Sequence, residues 1–210
     1  MKIVPLIEGH GEVEAVPVLL RRLLETCNQF QLQIGRPIRR SRGELTSKEG
    51  LERAIRLARL DEGCAAILIL FDADDDCPKT IAPIISDWAR QLAGDIPCEV
   101  VLALREYEAW FLSSLESLRG CCGISQEAVA LATAENVRGA KERPENFMPR
   151  NRGYTEKLDQ PAMTALFSLK DAYCRTRSFK RMVRAFGALV ESLVGDPGQW
   201  PPADWIEGQR

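Results

Sequence analysis

The chain has 210 residues, 45% of them hydrophobic and 28% charged, enough for one generous globular domain or one domain with an appendage. A formal net charge of −2 excludes global attraction to nucleic acid or to an anionic membrane, so any nucleic-acid surface has to be a local patch. No apolar run approaches the roughly 20 residues of a membrane span, and Met1–Ile7 meets Glu8 too soon for a signal peptide, so the expectation is a cytoplasmic protein with no membrane partner.

Lys2–Ile7 reads as a first strand. It ends at Glu8-Gly9-His10-Gly11-Glu12, where two glycines permit a tight turn and close approach of a ligand. Val13, Val16, Leu19, Leu20, Leu23 and Leu24 then recur at helical spacing, with regular helix expected to begin within a few residues of Pro17. Strand, glycine turn and helix commonly bind anions. Here Glu8 and Glu12 would repel a bare phosphate, and neither a P-loop nor a full G-x-G-x-x-G is present. Glu8 therefore reads as a metal ligand or general base, while Glu12 and Glu14 also suit the positive helix N-terminus. Phe30, Leu32 and Ile34 alternate with glutamines as a half-buried strand that Pro37 ends or confines to an edge. Arg36, Arg39, Arg40 and Arg42 form a basic cluster that meets phosphates or, on the bland reading, solvates a loop. Thr46-Ser47-Lys48-Glu49 matches a capping box for a helix carrying Leu51, Ile55, Ala58 and Leu60.

Ala65–Phe71 is a continuous apolar run, the mark of a strand buried on both faces of a parallel sheet. It runs into Asp72-Ala73-Asp74-Asp75-Asp76. Crowded carboxylates repel one another unless a cation joins them, and a hard divalent ion such as Mg2+ prefers carboxylate oxygen. The bland alternatives are a solvated Asp75 and an Asp76 that caps the next helix. That helix spans Ile81–Leu92, with Ile84, Ile85, Trp88 and Leu92 turned inward. Glu99–Leu104 is a fourth strand and leads into Arg105-Glu106-Tyr107-Glu108-Ala109-Trp110-Phe111-Leu112, whose Trp110, Phe111 and Leu112 read as core. Strand–helix alternation predicts an α/β fold, a mainly parallel four-stranded sheet flanked by helices, over residues 1–120. Residues 121–210 read as a helical C-terminal extension packed on it. Its helices are expected at Ser125–Glu135, Pro161–Arg175 and Ser178–Val194, the last capped by Ser178, with a long polar loop at Asn136–Pro161. Trp200 and Trp205 either pack back or anchor a partner.

Seven cysteines without a C-x-x-C pair argue against a disulfide framework and a zinc site, and most read as small core residues. The single histidine, His10, excludes multi-histidine metal sites; it either touches a substrate or steadies its turn. Chemistry must rest on carboxylates, Lys, Arg or Tyr. Glu8/Glu12, Asp72/Asp74/Asp76 and Glu106/Glu108 each follow an expected strand, and parallel strands bring their carboxyl ends to one edge, where open α/β sheets place ligands. Such a set can hold one or two Mg2+ ions that clamp a phosphodiester.

A strand-end Glu-Gly followed by D-x-D after a hydrophobic strand resembles the Toprim fold of topoisomerases, primases and overcoming-lysogenization-defect nucleases. The chain more closely resembles the DUF4276 family of Toprim-like bacterial proteins, through Ile7-Glu8-Gly9-His10-Gly11-Glu12, Phe71-Asp72-Ala73-Asp74-Asp75-Asp76, Tyr107-Glu108-Ala109-Trp110-Phe111-Leu112 and, more weakly, Ser178-Phe179. The resemblance implies a phosphotransfer centre dependent on Mg2+ or Mn2+. Glu8 would serve as ligand or general acid/base, Asp72 and Asp74, with Asp76 beside them, would hold one metal, and Glu108, with Glu12, a second. A late cation, Lys180, Arg181 or Lys157, would steady the phosphate, with no motif choosing among them. The implied function is a nuclease acting on DNA or RNA, with DNA the more expected partner, in a bacterial antiphage system beside an ABC- or AAA-type ATPase; a second copy of the chain is a further expected partner. The alternative is a weakly catalytic subunit that binds nucleic acid and docks on the ATPase.

Overall fold

The apolar runs become the strands of one parallel sheet. The computed structural model describes residues 1–136, 139–140 and 143–207. Strands β1 (Lys2–Ile7), β4 (Cys64–Asp72) and β5 (Cys98–Ala103) are its long members. Two short ones, β2 (Gln33–Ile34) and β3 (Ile38–Arg39), both pair with β1. The order is β2-β1-β4-β5, with β3 beside the carboxyl half of β1, and every pairing is parallel. Among the described residues the sheet thus has five strands rather than four. The expected strand over 30–34 is cut to two residues, and the chain resumes pairing after Gly35-Arg36-Pro37. Phe30, expected to be half-buried, is exposed.

Side chains of β4 alternate between two cores, the period-2 consequence of strand geometry. Leu68 and Leu70 join Ile3, Ile7, Val101 and helix α1 (Glu12–Thr26) on one face. Ile67, Ile69 and Phe71 join Val4, Leu6, Val100 and Leu102 on the other, under α3 (Lys48–Ala58) and α4 (Pro78–Ala93). Helix α1 begins at Glu12, so Pro17 lies inside it. The capping box closes not α3 but the one-turn α2 (Arg42–Leu45), through Ser41 and Glu44, while Ser47 caps α3. Leu60 and Ile84, expected inward, are exposed. Of the cysteines only Cys27 and Cys98 are buried, and all seven are free. Burial pushes the Cys98 thiol up to about 12.

Beyond α5 (Ala109–Leu112) no α-helix forms at 125–135; that stretch holds turns and a single 3-10 turn at Ala134–Asn136. The sequence 161–175 divides into α6 (Glu156–Leu166), which begins before Pro161, and α7 (Leu169–Arg175), capped by Ser168. Helix α8 (Arg177–Val194) has Thr176, not Ser178, at its N-cap. Its periodic Phe179, Met182, Val183, Phe186, Leu189 and Val190 are buried in the same core as α1, so no break in the apolar core marks residue 120. The tail folds back. The Trp200 indole donates to Val183 O at 2.8 Å, and Trp205, in the short α9 (Ala203–Ile206), packs against Tyr173 and Trp200.

The Tyr107–Leu112 motif and Ser178-Phe179 form one unit. Trp110 Nε1 donates to Ser178 Oγ at 2.8 Å, and the rings of Tyr107, Trp110, Phe111, Phe167 and Phe179 meet in tilted or edge-on pairs. Edge-to-face geometry sets the positive ring edge on a negative face, which adds to area burial. Trp110, Phe111 and Leu112 are fully buried, as expected of core.

Candidate functional site

Parallel pairing puts the last residues of β1, β4 and β5 side by side: Ile7 opposes Leu70, and Asp72 opposes Ala103. All three acidic clusters therefore leave the sheet at its carboxyl rim. The β4 exit is a tight turn. Ala73 N–H and Asp74 N–H prolong the ladder by donating to Ala103 O and Arg105 O, and Asp76 N–H donates back to Ala73 O. Asp74 has φ +49, a left-handed conformation that short polar residues tolerate better than branched ones. The turn throws Asp74, Asp75 and Asp76 into solvent and leaves Asp72 6% exposed. The Tyr107 amide donates to Asp72 Oδ1 at 2.9 Å, fixing its carboxylate.

At the focus of these acids stands a guanidinium. Arg42 Nη1 lies 3.3 Å from Asp74 Oδ2 and 4.0 Å from Glu8 Oε2, and Nη2 pairs with Asp76 Oδ2. The same group donates to the carbonyls of Asp72 and Ala73 and lies over the Phe71 ring. Five donors in a planar fork suit such an array. Arg105 plays a lesser part nearby, bridging Asp75 and the Asp74 carbonyl. A depression of about 160 Å3 opens beside it, lined by Asp74, Asp75, Arg105, Glu106 and Gly139.

The other half of the rim is covered by α6. Glu12 is 2% exposed, and its Oε2 accepts the amides of Glu8 and Gly9 at 3.1 and 3.0 Å. Glu108 is fully buried; its Oε1 accepts from Tyr154 Oη at 2.9 Å and Gln160 Nε2 at 3.3 Å. Burial, followed by the charge of Glu108, pushes the Tyr154 phenol far up, so it remains a donor. Burial does the same to Tyr107, which shares a hydrogen bond with Thr164 Oγ1. The glycines permit this cover. A Cβ on Gly11 would meet Gln160 Oε1 at 2.3 Å and the Glu156 carbonyl at 2.8 Å, and Gly11 N–H donates to Glu156 Oε1.

The structure thus brings Glu8, Asp72, Asp74 and Asp76 together around Arg42, and buries Glu12 against the Glu8-Gly9 turn and Glu108 against Tyr154 and Gln160. Of the basic residues, Arg39 reaches the Glu8 carbonyl at 3.4 Å, and Arg40 reaches Glu44 at 3.8 Å. Lys157 is exposed on α6. Lys180 lies over the Tyr173 ring, and Arg181 pairs with Glu99 at 2.6 Å. His10 is exposed at the turn. Sequence reading missed Arg105, Tyr154, Glu156 and Gln160. Only Arg105, placed directly after a strand and before the Glu106/Glu108 pair, carried a positional signal.

The donor set is all hard oxygen, the chemistry that suits Mg2+ or Mn2+. Its spacing is that of a guanidinium complex: among the described residues no three His, Cys, Asp or Glu side chains are grouped so as to hold a metal ion.

These features define an α/β protein whose acidic rim crowns the carboxyl edge of a parallel sheet and is balanced by an internal arginine. The chain belongs to the DUF4276 family: the model of that family, described as a domain of unknown function, matches residues 7–187, which take in the whole rim and most of α8. No curated protein and no solved structure matches the chain. No helix among the described residues is long and apolar enough to cross a membrane.

Proposed function

We propose that the chain is a Toprim-like nuclease that cleaves phosphodiester bonds in DNA, or in RNA, with Mg2+ or Mn2+ as cofactor. The observation that carries this reading is the approach of Glu8 and Asp74, from two different strand ends, to within 4.0 Å of one cationic group, with Asp72 fixed beneath it. The residues that would hold the ion are Glu8, Asp72 and Asp74, with the Arg42 guanidinium giving up its place. An ion held there would supply charge neutralisation and water activation. The chain's own contribution is preorganisation. The Tyr107 amide orients Asp72, the turn at Asp74 aims the outer acids, and Arg39 and Arg42 offer positive charge to a phosphate. A role in bacterial antiphage defence is part of the same proposal. The test is cleavage of plasmid DNA, single-stranded DNA and RNA with and without Mn2+. Asp72→Ala or Glu8→Ala should abolish cleavage while the circular-dichroism spectrum stays that of the wild type; cleavage that survives both changes contradicts the proposal.

One observation favours a second reading, a nucleic-acid-binding subunit that cleaves little and docks on an ATPase. Arg42 already neutralises the acids from within the chain, as a structural rim would require. Retardation of DNA in a gel with no metal-dependent cleavage of any of the three substrates would select this reading.

A further inference from the structure

The sheet ends at β5, and its outer edge is only partly covered. Between α4 and the first turns of α8 lies a groove of about 650 Å3, within the roughly 300–1,000 Å3 of small-ligand sites. Val100, Leu102 and Leu104 of the β5 strand and its exit, with Ala82 and Pro83 of α4, give it an apolar floor, and four cations stand around it: Lys79, Arg90, Arg177 and Arg181. Among the described residues no acid lines it, although the chain as a whole is slightly acidic. Arg90 is engaged by Asp87 at 3.1 Å and Arg181 by Glu99 at 2.6 Å, whereas no ion pair to another described residue engages Lys79 or Arg177. The first amides of α8 are also spoken for, since Glu135 accepts from Arg177 N–H and Ser178 N–H. The attraction for an anion therefore comes from side chains. The mouth of the groove begins at Cys77, next to Asp76 of the acidic turn.

An apolar floor calls for an apolar body, and the two rim cations that no described acid engages, Lys79 and Arg177, call for an anionic head. A second copy of this chain does not satisfy this, because a symmetric contact would set the cations against themselves. We propose that the groove is a nucleotide subsite, which takes the base and sugar of one nucleoside against Val100, Leu102 and Leu104 and its phosphate against Lys79 and Arg177. The choice of a nucleotide rests on the nucleic-acid reading above. The same chemistry is presented by a free 5′-mononucleotide and by one residue of a strand that continues past the acidic turn.

Calorimetric titration of the full chain with dAMP, an eight-residue oligo(dA), inorganic phosphate and decanoate tests this. Cys77, exposed at the groove mouth, reports the location, through mass-spectrometric measurement of its alkylation. dAMP is expected to bind and to shield Cys77. Tighter binding of the oligonucleotide identifies the strand as the source, and binding of dAMP alone identifies the free nucleotide. Lys79→Ala/Arg177→Ala, two exposed side chains whose removal spares the core, should weaken dAMP by about tenfold, the scale of lost charge-assisted contacts. Unchanged affinity in that variant, equal shielding by phosphate alone, or shielding by decanoate and not by dAMP would overturn the subsite. Asp72→Asn separates the two proposals. Loss of cleavage with dAMP shielding retained is expected. Absence of cleavage in the wild type with shielding intact defeats only the nuclease, and cleavage without shielding defeats only the subsite.

Discussion

The two halves of the carboxyl rim are built from the same residue types and have opposite fates. Under α6, Glu12 and Glu108 are buried, and their hydrogen bonds to other described residues come from neutral donors: two backbone amides, a phenol and a carboxamide. Around the β4 exit, Asp74 and Asp76 are exposed and answered by a guanidinium. A buried carboxylate held by fixed hydrogen bonds organises the fold around it. An exposed one paired with a guanidinium contributes little to stability and stays open to solvent. The proposed chemistry is therefore assigned to the β4 half, and Asp72, buried yet bordering both, joins the two.

The comparison breaks first in the covered half. Trp110→Ala should cost about 3–5 kcal/mol, because a fully buried indole and its bond to Ser178 are lost together. A change below about 1 kcal/mol in denaturant unfolding would mean that the aromatic unit does not hold α8 to the rim. Gly11→Ala should follow at about 1–3 kcal/mol, since a methyl there meets the α6 backbone at 2.8 Å. Gly43, which has open space around it, is the matched control and should stay within about 1 kcal/mol. In the exposed half, Asp74→Ala and Asp76→Ala should each move stability by no more than about 0.5 kcal/mol. Larger losses would make those acids structural and erase the contrast. The smallest effect is on reactivity. Hydrogen bonds from the Thr80 hydroxyl and the Lys79 amide hold the Cys77 thiol below its ordinary value of 9.0. More thiolate is then present at a given pH, so the midpoint of alkylation rate against pH should lie below 9.0; a midpoint at or above it contradicts the local geometry.

What was legible in the sequence follows the same division. Strands β1, β4 and β5 show as apolar runs because each is buried on both faces, and parallel pairing then fixes where their terminal acids gather. The start of α6 was hidden because its inward face is Asp159, Gln160, Met163 and Thr164, while Leu158 is exposed. Apolar periodicity cannot reveal a helix that packs through polar groups. The expected helix at 125–135 failed for the complementary reason. Its residues bury singly, Ala128 and Ala134 among them, against turns rather than along one helical stripe. The role of Arg42 was illegible because its partners Asp72, Asp74 and Asp76 lie some thirty residues away and meet it only through the fold. The clustered arginines suggested phosphate contact, and nothing local marks one of them as the partner of the acids.

The most direct measurement is a Mn2+ titration, followed by electron paramagnetic resonance, of the wild type, Asp72→Asn and Arg42→Ala. If the β4 half of the rim exchanges its internal cation for an external one, Asp72→Asn loses a bound ion that the wild type holds, and Arg42→Ala binds it more tightly. Identical Mn2+ binding by all three proteins would contradict the account, leaving Arg42 and its acids as a structural clasp.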